Sequence, residues 1–232
     1  MLTRSDGTRC VAGVTEIRRP RCIVGHVIAE LRKPSSAEQN MGMPNVQERR
    51  WSVDDVWALP DDGNRYETVD GELLVSPAPK VKHQVVAGAV YRALFEWVRQ
   101  RGIGVTLFAP TDVILDPHTL VQPDVLVLPP IGRDVREGEG AAPAPLLVIE
   151  VLSPGTARND RLKKRPRFQR AGIECWLVDI DSQLVERWPP DTDRPEICVE
   201  SVTWAPAGVG ETFELRLAPV WEEVGLPVTE SE

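Results

Sequence analysis

The sequence predicts an α/β fold (α+β mixed sheet) in which helices pack on a mixed β-sheet. Three features lead to this prediction: a long amphipathic helix pattern at residues 80–101, a nearly continuous apolar run at 146–152, and several short strand patterns separated by turn residues. The chain has 232 residues, of which 42% are hydrophobic and 27% are charged, so wholesale disorder is excluded. No run reaches the roughly 18–20 apolar residues of a membrane span, and no membrane partner is expected.

The first half of the folded part has clear local signals. Ser52 followed by Asp55 is typical of a capping box that starts a short helix. Residues 65–69 and 72–76 flank Asp70-Gly71, a strong hairpin signal. Residues 80–101 place apolar side chains at spacings of three and four, which predicts a helix of about six turns ending at Gly102.

The second half predicts mainly strands. Patterns at 104–108, 112–115 and 124–128 precede a Pro-rich loop at 129–145, and the apolar run at 146–152 is typical of a central strand covered on both faces. A basic segment at 157–171 then predicts a helix. We expect four further strands in a meander, at 175–180, 183–188, 197–204 and 212–217, within a single domain.

Charge divides the chain into a basic start and an acidic remainder. Residues 1–40 hold seven of the 27 basic and four of the 35 acidic residues, which leaves a net charge of −11 for the rest of a chain whose total is −8. All seven Trp also lie beyond residue 40. We therefore expect a disordered or misassigned extension at 1–47, with translation starting at Met41 or Met43, a folded domain at 48–221 and a C-terminal tail at 222–232.

The cysteines and the N-terminal residues favour a cytoplasmic location. Cys10, Cys22, Cys175 and Cys198 form no CxxC pair and lack histidines at zinc-finger spacing, so neither a disulfide framework nor a cysteine metal site is expected. The apolar stretch at 23–31 is interrupted by polar residues, unlike the core of a secretory signal.

Two acids and a basic segment form the candidate chemistry. Glu150 is a carboxylate within the apolar strand pattern, where burial is costly unless the charge is paired or bound to a metal. Asp124 begins the preceding predicted strand, so the two acids can converge on a divalent cation. Residues 158–170 hold seven cations and one acid; such a run is either a solvated face or a phosphate-binding surface.

At these positions the sequence resembles the Uma-type restriction endonuclease family of the PD-(D/E)XK nuclease superfamily. The matching residues are Pro123-Asp124, Glu150 to Thr156, Asp160 with Lys164, and Ala171 to Asp179, with Tyr66-Glu67, Asp70 to Leu73 and Pro79 to His83 upstream. The resemblance implies a restriction-endonuclease-like αβββαβ core with extra β-strands. It also implies hydrolysis of phosphodiester bonds with Mg²⁺ or Mn²⁺ as cofactor.

The resemblance also implies individual roles. Asp124 and Glu150 would bind the metal, and Lys164 would orient the attacking water and stabilise charge on the phosphate. Position 152, where the superfamily usually has its lysine, is Leu, so the lysine is expected on the following helix; Pro166 in that helix leaves Lys163 and Lys164 unranked. The secondary candidates are Glu72, His83, Asp160 and Lys163, and the expected phosphate-binding residues are Arg158, Arg161, Arg165 and Arg167.

These inferences leave two main functions open, beside a third, a metal-dependent hydrolase that acts on a small phosphorylated substrate. The first is a metal-dependent endonuclease that acts on duplex DNA, for which a homodimer would suit a palindromic site. The second is a catalytically inactive nuclease-fold module that binds nucleic acid or protein, favoured by the displaced lysine and by Pro166. A P-loop and a nucleophile elbow are both missing from the sequence, which argues against P-loop nucleotide hydrolysis and serine hydrolase chemistry.

Overall fold

The fold is described here from a computed structural model, which covers residues 49–132 and 142–227. All of these residues belong to the compact unit Gln47–Glu232. The predicted extension at 1–47 lies outside the described residues, as does the middle of the predicted loop at 129–145. No described helix is long and apolar enough to cross a membrane.

The local signals at the start of the domain are confirmed. Helix α1 (Val53–Trp57) begins at Ser52, whose hydroxyl accepts from the Asp55 backbone, while the Asp55 side chain accepts from the Ser52 backbone. Strands β1 (Arg65–Val69) and β2 (Glu72–Ser76) form the predicted hairpin, with Asp70 and Gly71 both at positive φ in the turn. Helix α2 (Val81–Arg101) ends at Gly102, which adopts the left-handed conformation.

Ten further strands follow. They are β3 (Val105–Phe108), β4 (Val113–Asp116), β5 (Thr119–Val121), β6 (Val125–Leu128), β7 (Leu147–Val151), β8 (Glu174–Asp179), β9 (Leu184–Trp188), β10 (Glu196–Cys198), β11 (Ser201–Trp204) and β12 (Phe213–Arg216). The remaining helices are α3 (Ala157–Asn159), a π-helical turn (Asp160–Lys164), α4 (Arg165–Arg170) and α5 (Ala218–Glu222).

The described strands form three sheets rather than the one expected. A six-stranded sheet has the order β10-β9-β8-β7-β6-β3, in which only the β7–β8 pair is parallel. A four-stranded antiparallel sheet has the order β2-β1-β5-β4, and β11 pairs with β12. Helix α2, β3, β6, β7, the helical segment at 157–170 and β8 give the αβββαβ core.

Three details differ from the expected fold: one strand, the end of the domain and a short additional strand. The pattern at 197–204 is not one strand, because the chain leaves the six-stranded sheet after Cys198 and joins β12 from Ser201. The end of the fold lies beyond residue 221, since Val224 and Leu226 pack against the core. A strand of three residues, β5, was also not predicted, because it is too short to have a recognisable period.

The six-stranded sheet is covered on both faces, as the apolar run of β7 predicts. One face packs against α2, α5 and the β11–β12 pair, through residues such as Leu94, Val125 and Trp176. The opposite face packs against the four-stranded sheet and α4, through Leu126 and Phe168 among others. Polar side chains on this second face are therefore enclosed between layers.

Candidate active site

Asp124 and Glu150 lie opposite each other at the centre of the six-stranded sheet. The antiparallel register pairs Val125 with Ile149, so one further step along the ladder aligns Asp124 with Glu150. Residues directly opposite on antiparallel strands share a face, and here it is the face with Leu126 and Val148 that contacts the four-stranded sheet. The side chains are 5% and 2% exposed, so the fold buries two carboxyl groups side by side.

Lys164 connects three acids in this buried space. Its Nζ lies 2.9 Å from Oε2 of Glu67, 3.3 Å from Oε1 of Glu150 and 3.3 Å from Oδ1 of Asp160. Glu67 is on β1 of the four-stranded sheet, and Asp160 begins the π-helical turn that Lys164 ends. All four side chains are almost completely buried, so each charge depends on the others for its stabilisation.

Asp124 is held by a second set of donors. Both terminal nitrogens of Arg65 lie near its Oδ1, at 3.2 and 3.3 Å, and Nε2 of His83 lies 3.0 Å from its Oδ2. The backbone N–H of Val151 also donates to Oδ2, at 2.9 Å. The orientation of this carboxylate is thus fixed by β1, by the first turn of α2 and by β7.

The pKa values of the acids in the site are shifted in opposite directions. Burial raises the pKa of Glu150 well above its usual value, because Lys164 only partly offsets the loss of hydration and the charges of the nearby acids. Burial also raises the pKa of Asp160. Burial opposes ionisation of Asp124 too, but the hydrogen bond and charge of His83 and the charge of Arg65 lower its pKa overall.

The pKa values of both buried basic groups, Lys164 and His83, are raised. Burial alone would lower the pKa of Lys164, but the charges of Glu150, Glu67 and Asp160 raise it well above its ordinary value. The pKa of His83 is raised as well, since its bond to Asp124 outweighs the effect of burial. The Nδ1 atom of His83 is buried and has no hydrogen-bond partner among the described residues.

The site contains more acids than permanent cations. Four acids (Glu67, Asp124, Glu150 and Asp160) face two permanent cations, Arg65 and Lys164, so full ionisation leaves two negative charges, or one if His83 is protonated. Within the described residues no three His, Cys, Asp or Glu side chains are arranged as a metal cage. Magnesium usually needs only one or two carboxylates together with water and phosphate, and Asp124 with Glu150 suits that requirement.

Lys164 rather than Lys163 enters the site, which the sequence could not decide. Lys163 precedes Lys164 by one residue, so its side chain points in a different direction around the turn. Its Nζ pairs with Oε1 of Glu72 at 2.5 Å, and both side chains are partly exposed. Glu72, a secondary candidate from the sequence, therefore contacts Lys163 and is not one of the three acids that contact Lys164. Glu72 faces the same way as Glu67 but lies at the hairpin end of β2, opposite Val69, whereas Glu67 lies mid-strand.

Pro166 is compatible with the helix that carries Lys164. The N–H of Arg165 bonds to the carbonyl of Asp160, five residues back, and Pro166 follows at the start of α4, where a missing N–H costs little. The π-helical turn brings Asp160 and Lys164 to the same buried side. Such turns are often found at functional sites.

Most of the predicted phosphate-binding arginines already have partners within the protein. Arg161 donates to Asp179 and Glu186, each at 2.8 Å, and Arg167 contacts Asp70 and Asp116. Arg165 bonds to Gln169 and lies 4.0 Å from the ring centre of Trp188. Arg158 is exposed and has no ion pair with any described residue, so it alone of the four is free for phosphate.

The sequence argument missed two residues of the site, Arg65 and Glu67. Their signal was weak, because β1 reads Arg-Tyr-Glu-Thr-Val and shows polar residues on both faces. Charges of opposite sign at positions i and i+2 of a strand do, however, share one face. Glu67 is 1% exposed, and its second oxygen accepts from the backbone of Gln122 at 2.7 Å.

The αβββαβ core, with an acid–lysine cluster at the centre of its sheet, defines a fold of the restriction-endonuclease-like class. Residues 53–219 match the model of the Uma2 family, whose description is "Putative restriction endonuclease", and the chain belongs to this family. Family membership and fold together support a nuclease function.

A solved structure shares the fold. It is the crystal structure of a putative nuclease belonging to DUF820 from Anabaena variabilis, which is 20% identical in sequence with a TM-score of 0.62. The alignment covers 75% of this chain and 99% of that chain. No curated protein matches the chain.

Proposed function

We propose that the protein is a metal-dependent DNA endonuclease that hydrolyses phosphodiester bonds with Mg²⁺ or Mn²⁺. The observation that supports this best is the buried cluster of four acids around Lys164 and Arg65, in which acids outnumber permanent cations. A protein interior rarely keeps uncompensated carboxylates unless a function requires them. A divalent cation would offset the negative charge that full ionisation of these acids leaves, and would thereby favour their ionised forms.

Asp124 and Glu150 are the residues that would hold the metal. When bound, the ion would act as a Lewis acid toward the phosphodiester and lower the pKa of a bound water. Arg65 and His83 keep the Asp124 carboxylate in one orientation through three contacts of 3.0 to 3.3 Å. Such supporting contacts determine how well a metal ligand is positioned.

Lys164 is the group that would act on the phosphate. Its ammonium is held by three acids and carries a raised pKa, so it stays charged and can stabilise the negative charge that develops on the phosphate oxygens. Arg158, on the same helical segment, is exposed and has no ion pair with a described residue, and it would contact a neighbouring phosphate. Duplex DNA as the substrate, a homodimer as the active form and a cytoplasmic location are parts of this proposal.

The alternative is an inactive nuclease fold that binds nucleic acid or protein. Its two supporting features were the displaced lysine and Pro166. Lys164 contacts Glu150 despite its displacement, and Pro166 lies in the first turn of α4 without interrupting the segment. Neither feature therefore favours the inactive protein.

The decisive experiment compares cleavage of supercoiled plasmid by the wild type, Glu150→Gln and Glu96→Gln. Glu96 is an exposed acid of α2 that contacts Arg99 and Gln100 and no residue of the site, so its variant controls for the loss of one charge. We expect cleavage with Mg²⁺ or Mn²⁺, none with EDTA, and a loss of at least about 100-fold only in Glu150→Gln. Cleavage that survives Glu150→Gln, or a folded wild type that binds plasmid but cleaves it with neither metal, would contradict the proposal.

A further inference from the structure

A cleft of about 470 Å³ opens beside the candidate active site. Its walls come from the end of α1, the segment before β1, the segment between β2 and α2, and the turn after β3. The rigid and aromatic side chains among its lining residues are Trp57, Tyr66, Pro60, Pro77, Pro79 and Pro110. The volume lies within the range of about 300–1,000 Å³ found for small-molecule sites.

Arg65 joins this cleft to the acid–lysine cluster. Its side chain lines the cleft, while its guanidinium contacts Asp124 and donates to the carbonyl of Gln122 at 3.1 Å. Gln122 also lines the cleft, and its backbone N–H bonds to Glu67. A group in the cleft is therefore separated from the proposed metal ligand by a single side chain.

Trp57 presents an exposed but oriented aromatic surface to the cleft. Its side chain is 57% exposed, so much of the indole is accessible to a ligand. The indole N–H donates to Oδ2 of Asp112 at 3.0 Å, and Oδ1 of Asp112 accepts from the Gln122 side chain at 2.7 Å. These bonds orient the indole, so a planar ligand could stack on it without having to order it first.

The charges of the cleft disfavour a phosphate as its occupant. Its lining includes two acids, Asp61 and Asp112, and one cation, Arg65, which already contacts Asp124. A neutral planar heterocycle suits such a site better, because it can stack on an indole and hydrogen-bond to polar groups such as Asn64 and Gln84. Nucleobases have these properties, and they would accompany a phosphodiester at the adjacent site.

We propose that this cleft binds an unpaired nucleobase next to the phosphate that is cleaved, with Trp57 as the stacking platform. The identification of the ligand as a nucleobase rests on the proposed nuclease function. The proposal implies that the enzyme prefers DNA with a single-stranded or flipped-out nucleotide at this position. Base flipping costs least where a base is already unpaired, which would make such sites favoured substrates.

The test measures binding without metal, so that it does not depend on catalysis. Single-stranded oligonucleotides with one 2-aminopurine are titrated in EDTA with the wild type, Trp57→Phe, Trp57→Ala and Phe108→Ala. Phe108 is a matched control, because it is 59% exposed and does not line the cleft. We expect affinity to fall about 10- to 100-fold in Trp57→Ala, less in Trp57→Phe, and not at all in Phe108→Ala.

A second measurement does not depend on any variant's folding. Wild-type protein is titrated with matched oligonucleotides in which one base is replaced by an abasic site, placed at each position in turn. An abasic site at one position should weaken binding to the wild type about as much as Trp57→Ala weakens binding of the intact oligonucleotide. Wild-type affinity in Trp57→Ala would overturn the proposal, as would unchanged affinity for oligonucleotides with an abasic site at every position tested. It would also be overturned if the wild type bound a proline-rich peptide and Trp57→Ala, but not Phe108→Ala, abolished that binding.

The outcomes also separate this inference from the proposed function. Plasmid cleavage that depends on Glu150, together with unchanged affinity in Trp57→Ala, would overturn the nucleobase site and leave the nuclease. Reduced affinity in Trp57→Ala, together with no cleavage by either metal, would overturn the nuclease and leave the nucleobase site.

Discussion

The ammonium nitrogen of Lys164 lies 2.9 Å from Oε2 of Glu67 and thereby connects the helical segment at 157–170 with the four-stranded sheet. The two side chains are 4% and 1% exposed, so water contributes little to the stabilisation of either charge. A buried pair of this kind contributes less to stability than its attraction suggests, but losing one partner is costly. The pair therefore holds together the two layers that enclose the site.

Loss of the lysine alone should destabilise the protein strongly. Lys164→Met removes the cation that three buried acids share, and we expect the free energy of unfolding to fall by about 3–5 kcal/mol. Urea denaturation of Lys164→Met, Glu67→Gln and the double variant should give a coupling energy of about 0.5–3 kcal/mol. The half-exposed pair Lys163–Glu72 is the control and should couple by less than about 1 kcal/mol. Additive effects at Lys164 and Glu67 would contradict the contact.

Arg65 should affect activity through the orientation of Asp124. Arg65→Lys keeps the charge but cannot place two nitrogens near one carboxylate oxygen and also donate to the Gln122 carbonyl. We expect plasmid cleavage to fall about 10- to 100-fold, as is typical when a partner of a metal ligand is changed. Arg49→Lys, in an exposed pair with Asp55, should leave cleavage unchanged. Equal activity of both variants would show that Arg65 does not position Asp124.

Much of the fold could be predicted because its signals are local. The Ser52 capping box, the Asp70-Gly71 turn and the Gly102 helix end are set by side chains and backbone conformations within a few residues. The split of the pattern at 197–204 into β10 and β11 depends instead on which sheet each half joins. Only tertiary contacts decide that choice.

The candidate site was predictable where one residue conflicted with its surroundings. Glu150 stood out because an acid interrupts an apolar strand, and its position opposite Asp124 follows from the pairing of neighbouring strands. Glu67 gave no such conflict, since its burial results from the four-stranded sheet packing over β7. The arginines at 161 and 167 looked free for the same reason: their acidic partners lie on distant strands and in turns.

The pH dependence of stability should reveal the capping box of α1. Hydrogen bonds from the Ser52 backbone and hydroxyl and from Arg49 lower the pKa of Asp55 to about 2 from 3.8. A lowered folded-state pKa stabilises the protein above the unfolded value, and this stabilisation disappears as pH falls through the folded value. The melting temperature of Asp55→Asn should thus be below that of the wild type above about pH 4, and the difference should shrink toward pH 2. Thermal unfolding followed by circular dichroism measures this, and a difference independent of pH would contradict it.

Two arginines of the basic segment should behave in opposite ways. Arg158→Ala should lower the slope of log affinity against log salt by about 0.7–0.9 and leave stability unchanged, because Arg158 is exposed and pairs with no acid among the described residues. Arg161→Ala should leave the slope unchanged and lower stability by up to about 1 kcal/mol, because its partners Asp179 and Glu186 are partly buried. Salt titrations of oligonucleotide binding and urea denaturation distinguish the two. A lower slope in Arg161→Ala would mean that its ion pairs open for DNA.

Phe168 should determine whether the helical segment stays in place. Its ring is fully buried in α4, one turn beyond Lys164, and it packs in the core between this segment and the six-stranded sheet. Phe168→Ala should lower stability by about 3–5 kcal/mol, since the side chain leaves a cavity that the neighbouring strands cannot fill. At about 2–4 °C per kcal/mol, the melting temperature should fall by roughly 6–20 °C. Phe168→Leu should restore part of the loss, whereas Phe108→Ala, on an exposed ring with one edge-to-face contact to Tyr91, should cost no more than about 1.5 kcal/mol. If Phe168→Ala melted like the wild type, packing of α4 could not be what places Lys164 beside Glu150.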